Sequence, residues 1–266
     1  MTDTLFSVSD RVVLVSGGSR GIGLALANGF ARRGAKVIIT GRNSDTLQTA
    51  AAAISSSENP VHTIACDVSD SEQIDELVSQ TVQEFGRIDV LVNVAGVNQR
   101  KRVESFTEAE YDFILDINLK GAFLLSQAVG RQMIEQGDGV QINIDSLNTY
   151  APLKGVAPYA MSKAGLSMMT RSLALEWGPR GVRVNGLAPG FILTDLTNKL
   201  WSDEKIRAWG ERNTPLGRLG EVDDLVGATI FLASDASRFM TGQTIYVDGG
   251  MSAGINWPIP EESLGG

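Results

Sequence analysis

The chain alternates between two kinds of segment. Short runs dense in β-branched and other apolar residues recur at 12–16, 36–40, 61–67, 89–93, 140–145, 182–188 and 244–247. The stretches between them carry apolar residues at helical spacing, as in 71–85, where Ile74, Leu77, Val78, Val82 and Phe85 share a face. Ser and Asp residues ahead of several such stretches suit N-caps, and Gly34 suits the close of the first helix before the second strand. Strands that are apolar almost throughout are buried on both faces, which implies a parallel sheet with helices above and below. No Pro-, Gly- or Ser-rich linker and no compositional break divides the sequence. The expectation is one α/β domain over residues 1–266, doubly wound, with about seven parallel strands.

Composition narrows the function classes. A net charge of −8 argues against a general nucleic-acid or anionic-membrane surface, although local basic patches could hold a small anion. Cys66 is the only cysteine, which excludes an intrachain disulfide framework and a cysteine-based metal cluster, and no other convincing metal site is present. The opening MTDTLFSVSD lacks a basic stretch followed by an apolar core, and no apolar run approaches membrane-spanning length. A cytoplasmic enzyme or binding protein is expected.

The stretch SGGSRGIG, residues 16–23, packs four glycines into the turn between the first strand and the first helix. In a doubly wound, Rossmann-type fold that turn lies at the carboxyl ends of the strands, where ligands bind. Gly17 permits a tight turn, Gly21 allows backbone to approach a pyrophosphate, and Gly23 allows the helix to pack close to the sheet. Free amides and the helix dipole favour the negative charge. The spacing is G-x-x-x-G-x-G and differs from both G-x-G-x-x-G and the Walker pattern. NAD-binding folds usually place a carboxylate about 20 residues further on, yet the second strand ends Ile39-Thr40-Gly41-Arg42. Arg42, with Arg20 in the glycine turn, suits a 2′-phosphate in charge and geometry, so NADP(H) is expected over NAD(H). Both arginines also fit ordinary solvated surface.

Candidate chemistry lies further along. Tyr159 and Lys163 are four residues apart at the start of a predicted helix, on one face. A neighbouring ammonium favours phenolate, so Lys163 is expected to draw the Tyr159 pKa down from about 10, making it a proton donor and acceptor. Ser146, at the end of the strand 140–145, can donate to a carbonyl oxygen.

Taken in order, these features resemble the short-chain dehydrogenase/reductase family, in its shorter one-domain form, across nearly the whole chain. Residues 16–23, including Ser19, Arg20 and Ile22, are similar to its glycine motif. Cys66-Asp67-Val68 resembles the adenine-contacting turn, and Asn93-Val94-Ala95-Gly96 the N-x-A-G motif. Asn118 in DINLKG matches the helix asparagine. Ser146, Tyr159 and Lys163 match the catalytic serine and the Y-x-x-x-K pair. The segment from Pro189-Gly190 through Ile192 and Thr194 resembles the one lining nicotinamide and phosphate. The resemblance implies hydride transfer between nicotinamide and a carbinol or carbonyl carbon. In it Tyr159 carries the proton, Ser146 polarises the oxygen, Lys163 also binds the nicotinamide ribose, and Asn118 fixes a relay water. It also implies a homodimer or homotetramer joined through the helix carrying Met161, Met168 and Met169.

Two positions depart from the family pattern. Val94 replaces a common second asparagine, and Asp145 stands where a small or hydroxyl residue is usual. Facing the pocket, Asp145 would add negative charge near the reacting centre; facing the sheet's other side, it merely needs a partner, and strand alternation favours that second placement, opposite Ser146. His62 and Cys66 are expected to be structural. Substrate choice is expected in a helical lid at about 190–215, with Leu196, Leu200, Trp201, Ile206 and Trp209, and the tail 251–266 either reaches a pocket or packs on the domain. The pattern around TPLGRLGE and VDGGM resembles that of family members acting on polyols, sugars and sugar acids, the substrate class expected, with reduction of a 3-oxoacyl thioester or a general ketone as the alternative. Enoyl reductases of this fold typically space their Tyr and Lys more widely, so the resemblance implies C=O rather than C=C reduction. A non-catalytic NADP(H)-binding sensor or scaffold is the alternative of a different class.

Overall fold

The run Val12-Val13-Leu14-Val15 has no polar face, and the structure puts both its faces to use. In this computed structural model, which describes residues 4–255 and 257–263, β1 (Val12–Ser16) is buried at every position. Seven strands form one parallel sheet in the order β3-β2-β1-β4-β5-β6-β7. They are β2 (Lys36–Gly41), β3 (His62–Ala65), β4 (Val90–Asn93), β5 (Gly139–Ile144), β6 (Val182–Pro189) and β7 (Thr244–Val247). On one face lie α1 (Gly21–Ala31), α2 (Ser44–Ile54) and α9 (Val226–Ala233); on the other lie α3 (Ser71–Phe85), α5 (Ala122–Gln136) and α6 (Ala157–Trp177). Alternate residues of β1 serve the two cores. Val13 and Val15 pack with Leu26, Phe30 and Ile230, while Val12 and Leu14 pack with Leu77, Leu125 and Leu166. Period-two geometry therefore operates even where the sequence shows no alternation.

Local chemistry sets the element ends. The Asp70 carboxylate accepts from the amides of Glu72 (3.0 Å) and Gln73 (3.3 Å) to start α3, and Gly86, at φ +79°, ends it. Thr107 and Glu110 form a reciprocal capping box at the start of α4 (Glu108–Leu115). The strand expected over 61–67 is shorter, because Asp67 turns its carboxylate onto the amide and hydroxyl of Ser69 (3.0 and 2.7 Å) and bends the chain out of the sheet. β5 likewise stops at Ile144, one residue before the expected end.

Between α4 and α5 the helix widens into a π turn, Asp116–Gly121, so that residues 108–136 form one continuous rod. By length and composition this rod could cross a membrane, which corrects the expectation that no such segment exists. Half of its most apolar window is buried within this fold, and α5 packs against α3, β4 and α6. Gly121 is required there, because a Cβ on it would lie 2.5 Å from the Val68 carbonyl oxygen.

Candidate active site

The chain winds outward in opposite directions from β1 and β4, which are neighbours in the sheet, and so leaves a crevice beyond their carboxyl ends. The glycine turn fills one side of it. Gly17 (φ +68°) donates its amide to the Thr40 carbonyl at 2.8 Å, and a Cβ on it would stand 2.8 Å from the Ala95 nitrogen. Gly23 is pressed still harder, with its missing Cβ only 2.2 Å from the Gly17 oxygen. Gly21 differs: its φ is +52°, yet only Thr194 comes within 4 Å of its Cβ position, so bare backbone faces the crevice. Gly18, which sequence reasoning left unassigned, lies against Ile39. Ser16 ties this turn to the next loop, its hydroxyl accepting from the amides of Val94 (3.1 Å) and Ala95 (3.3 Å).

The other expected cofactor residues are spread over loops and element ends near the crevice, some of them packed into the core, and one polar side chain among them is an exception. Ser19 lies beside Gly41, and exposed Arg20 and Arg42 have no carboxylate partner among the described residues. Ile22 packs on the α1-side core. Asp67 and buried Val68 follow β3, and Gly96 faces the Asn118 carboxamide. Pro189 ends β6, and Gly190 passes so close to Asp248 that a Cβ would meet its Cα at 2.6 Å. Buried Ile192 bridges Gly220, and Thr194 caps α7 (Asp195–Trp201) while reaching Gly21. The exception is Asn93, whose side chain turns inward. Its Nδ2 donates to Ser126 Oγ and Asn143 Oδ1, both at 2.9 Å, and Asn143 Nδ2 donates to Thr170 Oγ1 at 2.8 Å. The Asn93 side chain is thus committed to joining β4, β5, α5 and α6, away from the crevice.

Ser146, Tyr159 and Lys163 converge at the carboxyl end of β5. Ser146 follows the strand and is buried; its Oγ accepts from both the amide and the Nδ2 of Asn148, each at 3.1 Å. With both lone pairs engaged, its O–H is left to donate. The Tyr159 phenol has this hydroxyl as a hydrogen-bond partner. Lys163 is 4% exposed; it donates from Nζ to the Ile144 carbonyl at 2.6 Å and sits 5.8 Å from the Tyr159 ring centre. Asn118, in the π turn, accepts from the Val97 amide (2.8 Å) and donates to the Val97 carbonyl (2.9 Å) and Ser162 Oγ (3.1 Å). Ser162 in turn donates to the Tyr159 carbonyl at 2.7 Å. Asn148 and Ser162 carry this site, yet neither stood out in the sequence. The S-x-N spacing after β5 and the residue beside Lys163 were the available signals.

Electrostatics depart from expectation in one respect. Lys163 does not bring the Tyr159 phenol down, because burial pushes it up. The Ser146 hydrogen bond and the Arg100 charge oppose the rise, and Asp145 adds to it. The ammonium is drawn instead to the Ile144 carbonyl, and burial lowers the Lys163 pKa to about 8 against the pull of Asp145. Arg100 follows β4, in a loop fastened to the approach to α6 by the Lys101 amide and Gly155 carbonyl at 2.9 Å. Alternation does hold at Asp145, since Gln141, Asn143 and Asp145 all meet groups on the α5–α6 side. The partner that this placement calls for includes a charge, since Lys163 arrives from the same side.

Bland assignments hold elsewhere. His62 pairs with Glu84 at 3.0 Å, and burial raises the Cys66 thiol to about 11. Beyond β6, Trp201 is buried against Phe191 (centroids 5.2 Å apart), whereas Trp209 of α8 (Glu204–Arg212) is partly exposed. Met251 joins that cluster, Trp257 is exposed, and the rest of the expected tail at 256 and 264–266 lies outside the described residues.

The packing of the glycine turn gives a direct test. Gly23→Ala should lower unfolding free energy by about 1–3 kcal/mol through overpacking. Gly227→Ala, in α9 with nothing within 4 Å of its Cβ, should be neutral or stabilise by up to about 1 kcal/mol. Urea unfolding midpoints of the two variants check this; equal shifts would contradict the geometry.

Comparison with known proteins agrees with this architecture. A family model described as enoyl-(acyl carrier protein) reductase matches residues 17–252. Gluconate 5-dehydrogenase of Gluconobacter oxydans is 39% identical over 94% of this chain and 98% of its own length. The 3-oxoacyl-[acyl-carrier-protein] reductase of Thermotoga maritima is 40% identical over 91% of this chain and 97% of its own. The crystal structure of a gluconate 5-dehydrogenase from Burkholderia cenocepacia in complex with NADP and tartrate superposes with a TM-score of 0.92 at 37% identity. That match covers 95% of this chain and 99% of the other. A sheet of this order, this glycine turn and this full-length similarity place the chain in the short-chain dehydrogenase/reductase family.

Proposed function

We propose that this oxidoreductase interconverts a secondary alcohol and a ketone on a polyhydroxylated substrate, a sugar acid in preference to a neutral polyol, with NADP(H) preferred over NAD(H). The observation that carries it is the meeting of Ser146, Tyr159 and Lys163 at the end of β5, beside a crevice whose glycine backbone is bare. Gly21 presents open main chain at positive φ and Thr194 stands across from it, a fit for a pyrophosphate. Arg20 and Arg42, with no carboxylate partner among the described residues, suit a 2′-phosphate. When bound, the nicotinamide supplies or accepts the hydride; the remaining work falls to the chain.

In reduction, Ser146 turns its O–H from the Tyr159 phenol to the substrate carbonyl oxygen and holds that oxygen near the phenol. As the carbonyl carbon gains hydride, that oxygen takes the phenolic proton, leaving phenolate beside the Lys163 ammonium. Oxidation reverses each transfer, with phenolate accepting the hydroxyl proton. Lys163 also suits the nicotinamide ribose hydroxyls. The Asn118 side chain is tied to Val97 and Ser162, and Asn118 suits the holding of a relay water. Ala95 and Gly96 flank the nicotinamide side of the crevice, and Asp67 and Val68 the adenine side.

Arg100 favours the sugar acid. Its charge reaches the Tyr159 phenol, and it has no carboxylate partner among the described residues, whereas neighbouring Lys101 is held by Glu110 at 2.7 Å. A substrate carboxylate would complete it. The similarity to a 3-oxoacyl reductase supports a 3-oxoacyl thioester as the second reading. The α7–α8 segment acts as the lid. The exposed stripe of Met161, Met168 and Leu175 on α6 suits a homodimer or homotetramer interface.

Tyr159→Phe should lose about 10²–10⁴-fold in kcat while its NADPH affinity holds; a sensor or scaffold would be unmoved. Arg42→Ala should raise KM for NADPH about 10–100-fold and leave NADH nearly unchanged, and equal losses would refute the 2′-phosphate assignment. Arg100→Ala should raise KM for an aldonate about tenfold with little change for a neutral polyol. Side-by-side steady-state assays would reveal the reverse order if a thioester or a polyol is the substrate.

A further inference from the structure

Behind Ser146 lies a carboxylate that the reaction as described does not use. Asp145 is 3% exposed, with its amide bound to the Leu187 carbonyl at 2.7 Å. Its Oδ1 accepts from the Ser146 amide at 3.0 Å and from Thr149 Oγ1 at 2.9 Å. Oδ1 therefore braces the turn Leu147–Thr149 on which Ser146 is presented. Oδ2 is buried, and the donor on offer to it is the Ser167 hydroxyl of α6. A carboxylate taken out of water is costly even with these donors, so it is an unexpected occupant of a position where a small residue would fit.

The groups facing it explain what the charge can do. From α6 come Tyr159, Lys163 and the Ser167 hydroxyl, and from β7 comes Tyr246. The Lys163 ammonium is bound to the carbonyl of Ile144, the residue preceding Asp145 in sequence. Arg100 acts on the phenol with opposite sign, and Asp248 acts on Tyr246. Among these, Lys163 is the only buried cation facing Asp145, and Asp145 is the only buried anion acting on both Tyr159 and Lys163.

We propose that Asp145 is a positioning residue with two effects: its Oδ1 fixes the Ser146 turn, and its buried negative charge keeps the Tyr159–Lys163 pair protonated, which poises the enzyme for ketone reduction near neutral pH. This rests on the reaction assigned above. The charge acts on the pair as a whole: an anion stabilises a proton on either group, so the first proton to leave does so at higher pH whichever group holds it. Desolvation raises the Asp145 carboxyl to about 6, so the charge is present at neutral pH and disappears in mild acid. Arg100, being exposed, opposes it only through solvent.

The test compares wild type with Asp145→Asn, which keeps an acceptor for Ser146 and Thr149 but removes the charge, and with Asp145→Ser, a small replacement suited to the site. The pH profile of alcohol oxidation should move to lower pH by about one to two units in both variants, and ketone reduction at pH 8 should fall several-fold. Below about pH 6, where the wild-type carboxyl is itself protonated, the reduction profiles of wild type and Asp145→Asn should converge. A readout independent of turnover is the NMR titration of Lys163 in ¹³C-lysine-labelled protein, assigned with Lys163→Arg. Its midpoint, about 8 in wild type, should fall by a similar amount in both variants. If activity drops uniformly with an unmoved profile and an unmoved lysine midpoint, Asp145 is only a brace and the charge proposal is wrong. If the lysine midpoint moves but no alcohol or ketone is turned over even by wild type, the electrostatic coupling stands and the assigned reaction fails.

Discussion

The site depends on holding one ammonium almost wholly out of water. Lys163 reaches from α6 to the end of β5 and gives a proton to the Ile144 carbonyl at 2.6 Å. That bond offsets part of the desolvation of a buried cation, which would otherwise shed its charge. It works only if α6 and β5 keep a fixed separation and rotation, because a slide of one residue along the helix would carry the ammonium away. Much of the surrounding structure enforces that placement. Gly165 lets α6 approach the π turn so closely that a Cβ would stand 2.7 Å from Leu119. Asn118 and Ser162 tie the π turn to the carbonyl of Tyr159. Thr170 accepts from Asn143 two turns further along the helix.

The inward-turned Asn93 belongs to the same arrangement. A chain of carboxamides and hydroxyls from Asn93 through Asn143 to Thr170 crosses the interior where apolar residues would pack more simply. Hydrogen bonds of this kind contribute only about 1 kcal/mol each, but they are directional, and a shift in register would leave their donors unpaired and buried. They therefore specify alignment more than they add stability. Asn93 Oδ1 and Gln141 Oε1 remain without partners, so the network carries some cost. That cost is consistent with a network retained for geometry.

Patterning along the chain was enough to find all seven strands and the sheet's parallel character, because a strand buried on both faces cannot disguise its composition. The ends of β3 and β5 were misjudged because Asp67 and Asp145 engage nearby amides and hydroxyls, an alternative that apolar content does not reveal. The glycine turn was readable because Gly17 and Gly23 answer steric demands from within a few residues or from the adjacent loop. Ser146, Tyr159 and Lys163 were found through family resemblance; their spacing alone would not have singled them out. Asn148, Ser162 and Arg100 escaped notice because their partners are set by tertiary contacts. The direction of the Tyr159 shift was misread for a related reason: proximity in sequence suggested a cation beside the phenol, whereas burial and the competing Ile144 carbonyl decide the outcome.

The phenol sits in a field made by two unequal charges. Arg100 is exposed, so water and salt weaken its pull, with a screening length of about 8 Å at physiological ionic strength. Asp145 is buried, so its charge on the pair is screened far less. With a sugar acid in the crevice, the substrate carboxylate would neutralise Arg100 and leave Asp145 in command, so an anionic ketone would tighten the proton on Tyr159 as it binds. A neutral polyol would leave Arg100 free to favour phenolate, the form that oxidation needs. On this account charge on the substrate selects the direction for which the site is prepared, and a single unusual carboxylate behind the serine makes that selection possible.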